Sequence, residues 1–132
     1  MRDMGKWKNE MMEKHGFFIH FVLDDQVGAG ANYHTHGLEQ SFGHPDLQCT
    51  LPITPEIIQS VFHTIVDRIK AGERFVAEQL YEKVITNYPV EFKEANEFGR
   101  KVLRLLLPDE KGLFPNDPMC NPVYKEQAKG VL

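Results

Sequence analysis

Four of the six histidines in this chain lie between His20 and His44, and two of them, His34 and His36, are separated by a single residue. In an extended segment such a pair projects from one face, about 7 Å apart along the strand. Neutral imidazole binds zinc, copper, nickel and iron, so a His-x-His pair offers two ligands from one strand. A third ligand can come from His44 or His20, and Asp24, Asp25 or Asp46 can add a carboxylate oxygen. Three protein ligands and one open position would permit a metal-activated water and hydrolysis. The candidate metal set is His34, His36 and His44; the residues predict no cofactor outright, and a divalent transition metal such as zinc is the one this set could take.

Each histidine also has a structural explanation. His20 sits between apolar neighbours, Phe18 and Val22, and reads as a hydrogen-bonded core residue. His44 precedes Pro45, which restricts it to extended geometry and makes it a turn residue. His63 falls at the edge of the apolar face of a helix. His15 lies near a helix C-terminus, where its charged form favours the macrodipole.

Other chemistry is thinner. Ser41 and Ser60 lack the Gly-x-Ser-x-Gly context of a nucleophile elbow. Cys49 lies in an apolar strand and reads as inert, whereas Cys120 follows Pro118-Met119 in an expected exposed tail and reads as the more reactive thiol. Neither has an evident base beside it. Gly28-Ala29-Gly30 lacks the Lys-Ser/Thr of a phosphate loop and is too short for a dinucleotide fingerprint. The pairs Asp24-Asp25 and Asp109-Glu110 read as solvated turn residues. These residues leave open whether the protein is an enzyme.

The elements that must position the histidines follow from periodicity. Met4, Trp7, Met11 and Met12 form one stripe of an N-terminal helix over residues 1–16, which Gly16 can end in the left-handed region. Phe17–Leu23 reads as a strand buried on both faces. Asp24–Ala31 is a Gly-rich loop, Asn32–Gly37 returns as an antiparallel partner, and Gly43-His44-Pro45-Asp46 is a turn before a third strand at Leu47–Leu51. Thr54 and Pro55 open a long helix whose apolar face is Ile57, Ile58, Val61, Phe62, Ile65, Val66 and Ile69, and Gly72 ends it. Leu80–Ile85 can be strand or helix. Val90–Glu94 alternates as a strand with one wet face, and Val102–Leu107 is apolar enough to be central. Pro108–Gly112 turns the chain into a tail with Pro115, Pro118 and Pro122, expected as coil with a frayed end. The fold expected is α+β: a mainly antiparallel sheet of about five strands, which the crossover helix allows to be mixed, packed by one long helix and an N-terminal helix.

A chain of 132 residues suits one domain, divided here into the helix at 1–16, a core at 17–115 and a Pro-rich tail at 116–132. Fifteen basic against nineteen acidic side chains give a net charge of -4, which argues against a nucleic-acid binder that relies on a general positive field. Two cysteines are too few for a disulfide scaffold, the N-terminus has no signal-peptide pattern, and no apolar run reaches membrane-spanning length. The expected location is the cytoplasm.

Gly37-Leu38, Gly43-His44-Pro45-Asp46-Leu47 and the later Leu107-Pro108-Asp109, Gly112, Phe114-Pro115 and Cys120 together resemble the bacterial domain of unknown function 4262 family, over roughly Phe17 to Cys120. Asp46 stands where that family usually has Glu. The resemblance carries no reaction, substrate or cofactor. His34-Thr35-His36 departs from the aromatic or aliphatic residues usual at that place, so chemistry on this pair would belong to a subgroup, whereas His44 lies inside the shared motif.

The function expected first is an interaction or regulatory module with an unknown protein partner or a second copy of the chain, because the amphipathic N-terminal helix and Pro-rich tail could contact a partner. The alternative is a metal-binding protein or metal-dependent hydrolase centred on His34 and His36.

Overall fold

In a computed structural model, which describes residues 4–23 and 28–132, a six-stranded mixed sheet is packed by helices. The strands are β1 (Phe18–Leu23), β2 (Ala31–His36), β3 (Leu47–Cys49), β4 (Leu80–Tyr81), β5 (Val90–Glu97) and β6 (Arg100–Leu106). Their order is β1-β2-β3-β6-β5-β4, and every neighbouring pair is antiparallel except β3 and β6. The expected α+β architecture is therefore observed, with a mixed sheet and one more strand than anticipated. The added strand is β4, two residues from the segment whose pattern fitted either strand or helix.

The helices are α1 (Met4–His15), α2 (Leu38–Phe42), α3 (Pro55–Lys70) and α4 (Pro122–Lys125). Gly16 ends α1 at φ 82°, in the left-handed region that costs glycine little. Pro55 occupies the first turn of α3, where its missing N–H leaves no bond unmade. Ile58, Val61, Phe62, Ile65, Val66 and Ile69 of α3 are buried against one face of the sheet, with Tyr33, Leu47, Cys49, Phe92, Leu103 and Leu105. Ile57 departs from the expected face and is exposed, since it falls at the margin of the apolar arc. The five-residue α2 was not anticipated. It begins after Gly37, whose φ of 106° only glycine adopts readily, and an added Cβ there would lie 2.6 Å from Met12 Sδ.

Two further expectations are corrected. β1 is not buried on both faces: it is the sheet's edge, and His20, Phe21 and Leu23 are exposed. The run Phe17–Leu23, apolar at every position but His20, mimics a central strand, but nothing in that pattern encodes position in the sheet. The C-terminal segment is not loose coil. Gln127 is fully buried and brackets Leu107, accepting from its N–H and donating to its carbonyl. Val131 forms a bridge with Ala95, and the Leu132 N–H donates to the Glu94 carbonyl.

Successive side chains point to opposite faces of the sheet: Tyr33, Leu47, Cys49, Leu103 and Leu105 turn to α3, while His34, Gln48 and Arg104, the last between Val102 and Leu106, turn away. The face under α3 is apolar. On the opposite face, direct cross-strand partners make a polar row of His20, His34, Gln48, Arg104 and Lys93, spanning five strands. The C-terminal segment lies over part of this row, because the Arg104 guanidinium donates to the carbonyls of Gln127 and Lys129. No helix among the described residues is long and apolar enough to cross a membrane.

Candidate metal centre

The β1–β2 hairpin decides which histidines meet. His20 stands directly opposite His34, and His36 opposite Phe18. Side chains two apart on a strand share a face, so His20, His34 and His36 project together beside Phe18. Ring centroids are 5.0 Å apart for His20 and His34, 4.8 Å for His34 and His36, and 6.1 Å for His20 and His36. Each ring offers one nitrogen such that all three lie within 4.8 Å of one another. Phe18 stacks on His36 at 5.1 Å, and Trp7 of α1 meets Phe18 edge-on, giving this side an aromatic wall.

The three rings differ in solvent contact. His34 is buried at 1% exposure, His36 is intermediate and His20 is exposed. Burial pushes His34 down to about 4 despite the neighbouring Glu97 carboxylate, and it lowers His36 as well, with Arg100 adding to the effect. Both are therefore neutral at pH 7, the form in which imidazole ligates a metal.

A chain of hydrogen bonds along the polar row sets the tautomer of His34. Arg104 can only donate, and its Nε reaches Gln48 Oε1 at 2.8 Å. The Gln48 amide must therefore turn its nitrogen to Asn32, donating to Oδ1 at 3.1 Å. That same oxygen lies 3.2 Å from His34 Nδ1, which accordingly carries the proton and donates. His34 is left with a lone pair on Nε2. Such an outer partner, fixing one ring nitrogen so that the other is presented, is the usual support of a metal-bound histidine.

A second network ties the site to the next strands. Asp46 Oδ1 accepts from Thr35 Oγ1 at 2.7 Å and from the Leu38 N–H at 3.1 Å, and Thr35 Oγ1 in turn accepts from the Leu47 N–H. Arg100 donates to Asp46 Oδ2, to the Thr35 carbonyl and, through Nε, to Glu97 Oε2 at 2.6 Å. The other oxygen of Glu97 faces His34 Nε2 at 3.4 Å. Glu97 is 5% exposed and stands at the turn between β5 and β6, where Phe98 and Gly99 both take positive φ. Sequence inspection missed Glu97 and Arg100 because β5 was expected to end at Glu94. The apolar alternation of Val90 and Phe92 breaks at Glu94 and Asn96, so Phe98-Gly99 was the one available signal that the strand runs on to a turn.

Of the expected ligands, His34 and His36 come together, and His20 takes the place expected for His44. The structure does not bring His44 to them. His44 Nδ1 donates to the Pro45 carbonyl at 2.8 Å, and Nε2 accepts from the Phe75 N–H at 3.1 Å. Both ring nitrogens are thus engaged in holding the turn against the segment after α3. Asp46 is occupied by its three donors, and Asp24 and Asp25 lie outside the described residues. His20 was read as a core residue, yet an edge strand leaves it open to solvent and to its two neighbours. Cys120 is also corrected: it is buried, its Sγ donates to the Leu113 carbonyl, and burial beside Asp109 raises its pKa. Cys49 is buried as expected, and desolvation pushes it up to about 12.

A family model described as a domain of unknown function, DUF4262, matches residues 11–121. The chain belongs to the DUF4262 family. No curated protein and no solved structure matches it.

In this DUF4262 chain the residues that carried the resemblance hold the fold. Leu38 is fully buried, His44 joins the turn to Phe75, and Asp46 clamps the end of β2 to the start of α2. Asp109 likewise gathers the N–H groups of Lys111, Leu113 and Asn121, which folds the chain back after β6. The histidine cluster lies outside these motifs. An apolar pocket bounded by Trp7, Met11, Phe17, Tyr33 and Ile58 shares Trp7 and Phe18 with the aromatic wall but is lined by none of the three clustered histidines.

Proposed function

We propose that this protein binds a divalent transition metal ion of the zinc type through His20, His34 and His36. The observation that carries the proposal is the convergence of three imidazoles from two paired strands, with ligand nitrogens within 4.8 Å. Support comes from the neutral state of His34 and from the Arg104–Gln48–Asn32 chain that presents its Nε2. When bound, such an ion supplies a Lewis acid and a coordinated water of lowered pKa, the chemistry a metal-dependent hydrolase uses. The free, buried thiols Cys49 and Cys120 suit a reducing, cytoplasmic setting.

Elemental analysis of untagged protein tests this. Wild type is expected to carry about one ion per chain, and His34→Ala and His36→Ala to carry almost none. Substoichiometric metal in wild type, or occupancy unchanged in both variants, overturns it.

An interaction module ranks second, because the two features that suggested it are engaged within the chain: α1 packs Trp7 on Phe18, and the tail is held by Arg104. The observation in its favour is the edge strand β1, with Phe21 and Leu23 exposed at 42% and 75%. Open strand edges pair readily with one another. If β1 joins two copies, size-exclusion chromatography shows a dimer that Phe21→Lys converts to monomer; a concentration-independent monomer in wild type rejects self-association.

A further inference from the structure

His34 Nε2 and Glu97 Oε1 face each other at 3.4 Å. The first carries a lone pair, because Nδ1 is committed as the donor to Asn32 Oδ1. The second belongs to a carboxylate whose other oxygen is held by Arg100 Nε. Two acceptors pointed at one another in a dry site repel unless something positive lies between them.

Two occupants are chemically reasonable, and the distance separates them. A shared proton would make an imidazolium–carboxylate hydrogen bond, which draws nitrogen and oxygen to about 2.7–2.9 Å. A tetrahedral metal ion holds nitrogen and oxygen ligands at about 2.0–2.1 Å, which places any two of them about 3.3–3.4 Å apart. The observed separation matches the second.

Resting on the metal reading above, we propose that Glu97 is the fourth ligand of the ion, with Oε1 completing the set begun by His20, His34 and His36. Three neutral imidazoles and one carboxylate leave a divalent ion with one net positive charge. Arg100 is the positioning residue: it grips Glu97 Oε2 and is itself anchored on Asp46 and the Thr35 carbonyl, so Oε1 is directed at His34. The buried pair His34 and Glu97 forms the fixed half of the centre. The 4.8 Å spread describes the three histidine nitrogens and Glu97 Oε1 meets His34 alone, so His20, exposed, and His36, intermediate, would have to swing toward an ion held between that pair by ring rotation.

Glu97→Gln is the discriminating variant. Arg100 still requires an oxygen, so the new amide turns its nitrogen toward His34 Nε2 and replaces the repulsive contact with a hydrogen bond. In titrations with Co2+, read from the visible absorption of the tetrahedral ion, the variant's affinity should fall at least tenfold and the band should weaken. If Glu97→Gln binds Co2+ with unchanged affinity and spectrum while His34→Ala abolishes binding, Glu97 is not a ligand and the three-histidine centre stands. If wild type gives no Co2+ band, the metal reading fails, and this proposal with it.

Discussion

Arg104→Met is expected to destabilise the metal-free protein by at least about 3 kcal/mol and to release the C-terminal segment. Arg104 is 2% exposed, and its partners in the structure are neutral oxygens: Gln48 Oε1 and the carbonyls of Gln127 and Lys129. Methionine keeps much of the side-chain volume but none of the donors. Each buried acceptor left unpaired costs about 1–3 kcal/mol, and hydrogen bonds to charged groups stand at the upper end of the net scale. The effect should also travel along the row. Without Arg104 nothing obliges Gln48 to turn its nitrogen to Asn32, so the tautomer of His34 is no longer imposed. Urea unfolding gives the stability change, and hydrogen exchange at Gln127, Lys129 and Val131 reports release of the segment. A midpoint unchanged from wild type would show that these bonds contribute no net stability.

Metal-free protein should also lose stability steeply between pH 6.5 and pH 4. The sign follows from His34. Burial lowers it to about 4 in the folded state, while the unfolded chain titrates near 6.5. As pH falls through 6.5 the unfolded state takes up a proton that the folded state refuses, and stability declines until the folded pKa is reached. His34 alone accounts for a loss of roughly 3 kcal/mol across that window. His36, His44 and His63 are lowered in the same direction, also chiefly by desolvation, and add to it. Chemical denaturation at a series of pH values from 7.5 to 4 checks this, with His34→Gln expected to flatten the profile. A flat wild-type profile over that range would contradict the burial of a neutral His34.

The elements with strong local signals were legible in the sequence. α3 shows its apolar face and its proline start, the antiparallel return of Asn32–Gly37 follows from a short connection, and Val102–Leu107 is apolar enough to be central, where β6 indeed lies between β3 and β5. The His34–His36 pairing on one face follows from strand alternation alone. What the sequence could not show was set by neighbours distant along the chain. That β1 lies at the edge depends on the order of all six strands, and this order exposes His20 and leaves it as a ligand candidate. His44 looked like a site residue because histidine is versatile, yet its partner, Phe75, is a backbone N–H thirty-one positions away. Arg104, Gln48 and Asn32 carry no motif. They act together because β2, β3 and β6 align them in one row, and parallel pairing of β3 with β6 cannot be deduced from local pattern. The Pro-rich tail read as loose because proline disrupts regular structure, but its packing is secured by side chains, Arg104 and Gln127, that supply the bonds regular structure would have made.

The most direct test of the metal centre is a titration of metal-free, 15N-labelled protein with Zn2+, following the ring nitrogens of all six histidines by NMR. In the metal-free state His34 should appear as the Nδ1–H tautomer. With added Zn2+, the signals of His20, His34 and His36 should change together and stop changing at about one equivalent, while His15, His44 and His63 stay in place. Cluster signals unmoved at one equivalent, or a first response from the histidines outside the cluster, would contradict the metal centre.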